Sequence, residues 1–494
     1  MHRQLARFAA LLMATTMLGG EAVGQTAACF PPAPPGGTPT QEPSAWRSVV
    51  VSRDAHPDVF TQAAPELDFS LGRALGAIIA SAGAADSQPA RVALLRSMLD
   101  TLRQESFTHP ETGMAIRVTP RPNEAALNPQ DMLRATGRDG FRPVAVFNRF
   151  DLRDIQGGDC GEHRIVYAKG DGQDQLDRMT LIFEARIPNG TGRPEACRPI
   201  AEFWQRLTDP GMSAAAVASS LAGFFFRGDV DGDGRSDLPD GGAVISARAF
   251  SAGIGQVRGN LFVTRGQPAR FPWELREWNI AVAQGQPAFL AATVKENPLP
   301  ALWRAPASGD PSGMAALRTA FQAEMATAIT DRLLQPEAES PGLRSLTRLL
   351  GTLGAGFPGR FDAFVSVSGD RQEDPLAIVA PALRAAIAAR VAANAAAQAC
   401  GTTAEHVLAR AGAMTCAGCH QLSVRQNVAS DARWPDVAGI FVHVDEGGRL
   451  SPALTDHFLP HRRQALRAYL EETAPSLAGP ASPAMTQLFN RRTH

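Results

Sequence analysis

Two cysteines three positions apart, followed at once by a histidine, are the residues of this chain best placed to do chemistry: Cys416-Ala-Gly-Cys419-His420. On one helical turn, thiols at that spacing reach the two vinyl groups along one porphyrin edge and form thioethers. The next imidazole is then held under the iron. The spacing is therefore the attachment signature of haem c, with His420 as the proximal ligand. Two other chemistries use the same residues. The pair could be a disulfide or redox dithiol, or Cys416 and Cys419 could be two of four zinc ligands with His420 and His443. The first lacks the strand-then-helix context it needs, and the second suits an oxidising compartment poorly, so covalent haem is the expected cofactor. For a sixth iron ligand the sequence offers first His443, in the apolar run Phe441-Val-His-Val444, and then Met485, in a Pro/Ala/Ser loop, with His457 and His461 between them. A histidine would favour a low potential and a methionine a higher one.

A second cluster is acidic. Asp229-Val-Asp231-Gly-Asp233-Gly234-Arg235-Ser-Asp237-Leu-Pro-Asp240 has the spacing of a twelve-residue calcium loop. Oxygens at alternating positions converge on one hard cation, Gly234 permits the sharp turn, and Arg235 contributes its backbone carbonyl. Asp240 stands where a bidentate glutamate is usual. Gly241-Gly242 argues against a following helix, so a structural Ca2+ in an isolated loop is expected rather than a sensor; the alternative is a solvated acidic turn.

The elements that position these groups can be read from periodicity. The turn bearing Cys416 follows a helix over about 403–414. Upstream, helices are expected near 66–83, 88–106, 199–208, 212–225, 311–334, 342–353 and 381–398. Short β-rich runs at 144–150, 164–168, 179–187, 256–263 and 273–282 are joined too closely for helical crossovers, which predicts a mostly antiparallel sheet. The expected fold is α+β, with flanking helices and a small all-α cytochrome c-like C-terminal domain. The expected boundaries are a signal peptide over 1–24, a Pro-rich linker over 25–45, an α+β domain over 46–398 and a haem domain over 399–494.

Composition restricts the setting. A basic start, the apolar run Phe8–Leu18 and small residues at Ala22 and Gly24 form a secretory signal, with cleavage expected after Gly24; the alternative is a retained anchor. No later stretch is apolar enough to span a bilayer, and a formal net charge of -1 gives no reason to expect nucleic acid. Periplasmic or secreted placement makes disulfides expected among Cys29, Cys160, Cys197 and Cys400. Pairing Cys160 with Cys197 and Cys29 with Cys400 is favoured, because the first two flank one antiparallel unit.

Phe147-Asn-Arg-Phe-Asp-Leu152 and Trp273-Glu-Leu-Arg-Glu-Trp278 mix aromatic and charged residues. They could line a cleft, and Asp151, Glu184, Glu274 and Glu277 could include a catalytic pair, but half-buried sheet with arginine-carboxylate pairs on its outer face is the favoured explanation. Hydrolase and nucleotide-binding motifs are absent.

Thr415-Cys-Ala-Gly-Cys-His420 with Val-His443-Val downstream resembles mono-haem cytochrome c domains over roughly the last 95 residues. The order of blocks Phe147–Leu152, Asp159–Tyr167, Cys197–Trp204 and Trp273–Glu277, ending in Cys-x-Gly-Cys-His, is similar to a group of uncharacterised exported bacterial proteins. The resemblance implies no established activity. The expected function is electron transfer through one covalent haem, with a redox partner protein or a small-molecule donor or acceptor. The alternatives are a non-haem binding or structural protein with disulfides and a calcium loop, and a redox enzyme with an unrecognised site in the α+β domain.

Overall fold

Side chains alternate between the two faces of a strand, and the central strands of this chain use both. In the computed structural model, the described residues are 28–31, 42–62, 64–154, 156–170, 177–263, 273–341, 344–352, 356–367, 375–436 and 442–473. The signal segment, most of the Pro-rich linker, Phe441 and Met485 lie outside them.

The first part of the chain runs β1 (Val50–Ser52), α1 (Leu71–Ser81), α2 (Gln88–Thr101), β2 (Phe141–Arg149), β3 (Asp159–Lys169), β4 (Met179–Pro188), α3 (Arg198–Arg206), α4 (Ala214–Arg227), β5 (Gln256–Leu261), β6 (Glu274–Ala283) and β7 (Gln286–Ala292), with β8 (Ser366–Val367) contributed later. These strands form an 8-stranded sheet in the order β1-β2-β3-β4-β5-β6-β8, with β7 also paired to β6. Every pairing is antiparallel. The sequence did not single out β1 or β8, which are too short to show a period, nor β7, whose alternation is weak.

One row across the sheet reads Val146, Ile165, Phe183, Val257, Trp278. This face is apolar and packs under the four helices α1–α4, with Leu75, Leu99, Trp204 and Phe224 in the same core. Ser70, Ser87 and Ser213 cap α1, α2 and α4 by accepting a backbone N–H from the first turn. The opposite face carries the rows Phe147, Arg164, Glu184, Gln256 and Val166, Ile182, Arg258, Glu277. Its carboxylates are buried, with Glu162 and Glu184 fully enclosed, while Arg164 and Arg258 are half-buried, so the ion pairs lie largely inside the molecule and not on an outer face.

The later helices are α5 (Met314–Glu324), α6 (Leu346–Thr352), α7 (Pro381–Ala392), α8 (Ala404–Met414) and α9 (Leu459–Glu472); Leu317, Leu349, Leu383 and Leu408 of the first four share one core, and Leu459 of α9 packs on the second face of the sheet. The alanine-rich α7 packs through the stripe Leu383, Ile387, Val391. It stops before the expected end at 398, because Asn394 leaves the helical conformation and caps a separate short turn, Ala395–Ala399.

A separate all-α unit over 399–494 is not present among the described residues. Leu408 and Met414 of α8 share a core with Leu302, Phe321 and Leu349. Leu454 and Leu459 pack on Phe147 and Val166 of the sheet, and Leu466 and Tyr469 of α9 join the core of α1–α4. The C-terminal region thus buries apolar residues against surfaces supplied by earlier segments, and it also contains a small hairpin, Asn427–Ala429 with Ala432–Arg433.

Both expected disulfides are present. Cys160 and Cys197 join β3 to the start of α3 with Cα atoms 5.2 Å apart, and Cys29 and Cys400, 5.6 Å apart, tie the N-terminal segment to the approach to α8. Disulfides are compatible with an extracytoplasmic protein. Among the described residues, no helix is long and apolar enough to cross a membrane.

Candidate functional site

Helix α8 delivers the Cys-x-x-Cys-His segment, and its own ends explain the geometry. Thr403 and His406 form a reciprocal capping box at its start. At its end Thr415 turns extended, with ψ 148°, so the helix breaks one residue before Cys416. The Thr415 hydroxyl donates to the Gly412 carbonyl at 2.8 Å and accepts the Gly418 N–H at 3.0 Å, starting a new, wider turn over Gly418–Leu422. Gly418 is required there: a Cβ at this position would collide with the Gly412 carbonyl oxygen. Trp434 fixes the other side by donating its indole N–H to the Cys419 carbonyl at 2.8 Å.

Cys416 and Cys419 are both free and buried, so the alternative of a disulfide between them is not what the structure contains. Burial pushes the Cys416 thiol up to about 12; Arg258 opposes this, while Glu277, Glu184 and Asp362 add to it. Burial, with Cys416 beside it, raises Cys419 as well. Both are therefore neutral thiols at physiological pH.

His443 lies beside His420, with ring centroids 4.5 Å apart and planes inclined by 40°. Ligand atoms of Cys419, His420 and His443 all fall within 4.8 Å of one another. His443 is held by Ser451, whose hydroxyl is 2.8 Å from Nδ1 and whose backbone N–H donates to the His443 carbonyl at 2.9 Å. With Nδ1 donating to that hydroxyl, Nε2 carries the lone pair a metal needs. His457 and His461 are not among the residues lining the cavity described next. Burial lowers the pKa of His461 to about 3, with Arg348 adding to the effect, which marks it as a neutral packed side chain.

Between this segment and the charged face of the sheet is a cavity of about 140 Å³. That is below the roughly 300–1,000 Å³ of pockets that hold drug-sized ligands. Cys416, Cys419, His420 and His443 line one wall. The facing wall is divided in two. Val166, Ile182, Leu275 and Trp273, with Leu454 and Phe458 from the cover, form an apolar portion, whereas Arg149, Arg164, Arg258, Glu184 and Arg462 form a charged portion. Arg258 donates to Glu277 at 2.8 Å, and Arg164 holds both Glu162 and Glu184, at 2.7 and 3.0 Å. Of the carboxylates noted in the sequence, Glu184 and Glu277 meet around Arg258, Asp151 pairs with Arg149, and Glu274 pairs with Arg276.

Sequence reading missed Arg164, Arg258 and Arg462 as site residues, and held Arg149 and Trp273 only within blocks that could line a cleft. The mixed aromatic and charged blocks were the available signal, but only the strand register shows which members share the cavity face.

The acidic loop follows α4 as expected, and no helix follows it before the single turn Arg248–Phe250. Asp229, Asp231 and Asp237 converge, with ligand oxygens within 4.8 Å of one another; Asp229 is buried and the other two are exposed. Asp229 accepts the Gly232 and Gly234 N–H groups at 2.6 and 3.0 Å, and Gly234 adopts φ 86°. Asp233 and Asp240 are not brought into that group. Asp233 accepts the Arg235 N–H at 2.8 Å, and Asp240 faces Gly242 and Arg248.

Against known proteins, no family model, curated protein or solved structure matches this chain. The likeness of the Cys-His segment to mono-haem cytochromes rests on the residues of that segment alone.

Proposed function

We propose that this is an exported electron-transfer protein carrying one covalent haem c at Cys416, Cys419 and His420, in the cavity between α8 and the sheet. The observation that carries this reading is the cavity itself, whose long apolar wall adjoins two neutral thiols and two imidazoles and whose far portion carries guanidinium groups. An amphiphilic plate with an anionic edge fits such a division. Each thiol would add its S–H across one vinyl group, His420 would be the proximal ligand, and His443, oriented by Ser451, the sixth. Bound there, the haem would supply one-electron iron chemistry, at a potential tuned by the axial ligands and the buried arginines. The cytochrome-like part is then a segment embedded in a larger α+β fold, docked against the sheet that completes its pocket.

His443→Ala is expected to open one axial position. The ferrous variant should bind carbon monoxide with a clear shift of its visible absorption, while the ferrous wild type stays unchanged. An identical carbon monoxide response in both proteins would remove His443 from the iron.

The grouping of Cys419, His420 and His443 within 4.8 Å supports a second reading, a zinc centre completed by Cys416. A single ion can be reached by rings 4.5 Å apart, whereas a macrocycle between them requires the rings to separate. Zinc needs only the four donors, however, and leaves the rest of the cavity without an occupant.

We also propose that Asp229, Asp231 and Asp237 hold a structural Ca2+. Since a ligand bound only by the native state stabilises it, excess EGTA should lower the thermal midpoint by a few degrees relative to millimolar Ca2+. Equal midpoints in the two conditions would leave the loop a solvated turn.

A further inference from the structure

Four arginines line the cavity, and three have a carboxylate partner: Arg149 has Asp151 at 2.9 Å, Arg164 has Glu162 and Glu184, and Arg258 has Glu277. Arg462, on α9, is the exception. It is only 7% exposed and lines the same cavity. Among the described residues, no hydrogen bond or ion pair holds its guanidinium. Asp151, the strongest opposite charge acting on it, is chelated by Arg149 through 3.1 and 2.9 Å contacts, while Arg149 and Arg164 act on Arg462 as like charges. Burial, followed by Arg149, drives its pKa well below the usual arginine range. Enclosing an ion without a counter-ion is strongly unfavourable, and a guanidinium cannot readily escape that cost by losing its proton.

We infer that Arg462, with Arg149 and Arg164 beside it, forms a carboxylate-binding subsite at the charged end of the cavity. A planar fork of N–H donors matches a carboxylate in a bidentate contact. A single surplus guanidinium calls for a monoanion, and Glu184 on the same wall disfavours a more highly charged ligand. Two sources share this chemistry: a propionate side chain of the haem, which rests on the reading given above, and a free small carboxylate, which does not.

The test uses four full-length proteins: wild type, Arg462→Gln, the haem-free Cys416→Ala/Cys419→Ala variant, and that variant with Arg462→Gln. Thermal midpoints are measured in sodium propionate and in sodium chloride of equal ionic strength. In the haem-free protein, propionate should raise the midpoint by a few degrees over chloride, and Arg462→Gln should abolish the rise. Arg462→Gln should itself be no less stable in chloride, since it removes an uncompensated charge, and Arg462→Lys should retain part of the response.

If wild type carries haem and ignores propionate, the haem's own carboxylate fills the subsite. If wild type also responds through Arg462, a free carboxylate is the ligand. Wild type without haem would defeat the cytochrome reading and leave the propionate comparison to decide the subsite. Propionate no more stabilising than chloride in the haem-free protein, or equally stabilising after Arg462→Gln, would overturn the inference.

Discussion

Arg410→Ala should destabilise the folded chain by about 3–5 kcal/mol, the cost typical of removing one partner from a buried ion pair. Arg410 is the central anchor of α8. Its side chain and that of Glu337 are both fully enclosed. The guanidinium donates to both Glu337 oxygens, at 2.6 and 3.1 Å, to the Leu333 carbonyl at 2.7 Å and to the Val428 carbonyl at 2.6 Å. Thr402 adds a hydroxyl contact to Glu337 at 2.7 Å. Alanine would leave the Glu337 carboxylate buried with Thr402 alone and would orphan two carbonyls. Because the pair's attraction is set against its desolvation, Arg410→Met with Glu337→Leu should recover much of the loss. Urea denaturation of the single and double variants checks this. A single variant within about 1 kcal/mol of wild type would show that α8 is anchored elsewhere.

Gly418→Ala should combine a destabilisation of about 1–3 kcal/mol, the usual range for forced overpacking, with a large loss of haem or metal loading. The added methyl group meets the Gly412 carbonyl oxygen, with the Thr415 hydroxyl 2.5 Å away. Neither is the movable tip of a long side chain. Relief requires the turn after Thr415 to open, and Cys419 and His420 ride on that turn. Gly190→Ala is the matched control, because nothing lies within 4 Å of its added Cβ. Both variants would be compared for thermal midpoint and for cofactor content per folded chain. Full loading of Gly418→Ala would mean that the turn tolerates rearrangement and that its position does not set the site.

The parts of this architecture legible in the sequence are those governed by local rules. The Cys-x-x-Cys-His spacing, the helix before it, the alternation in β2 to β6 and the flanking of one antiparallel unit by Cys160 and Cys197 all depend on residues close together in the chain. His443 was legible as an isolated imidazole in an apolar run, and its ring does lie beside His420. The wall facing the motif was not legible. Arg164 reaches the cavity because it sits between Phe147 and Glu184 in register, and Arg462 because α9 packs across the same face. A one-residue slip would send the first of these to the apolar side. The expected independent C-terminal domain failed for a related reason. The apolar stripe of α8 looks self-sufficient in one dimension, but much of the core it joins comes from earlier segments, among them Leu302, Phe321, Leu349 and Ile387. Asp233 and Asp240 show the limit of spacing as evidence, since the loop satisfies its own amides with some of the oxygens that a calcium-loop pattern assigns to the ion.

The most direct measurement is the intact mass of the exported protein, produced in a periplasm with the haem-attachment machinery and compared with the Cys416→Ala/Cys419→Ala variant under denaturing conditions. The expected result is a wild-type mass exceeding the processed polypeptide by one haem, with no such excess in the variant. A wild-type chain of bare polypeptide mass, folded and exported, would contradict covalent haem; one zinc per native chain would then favour the four-donor metal centre.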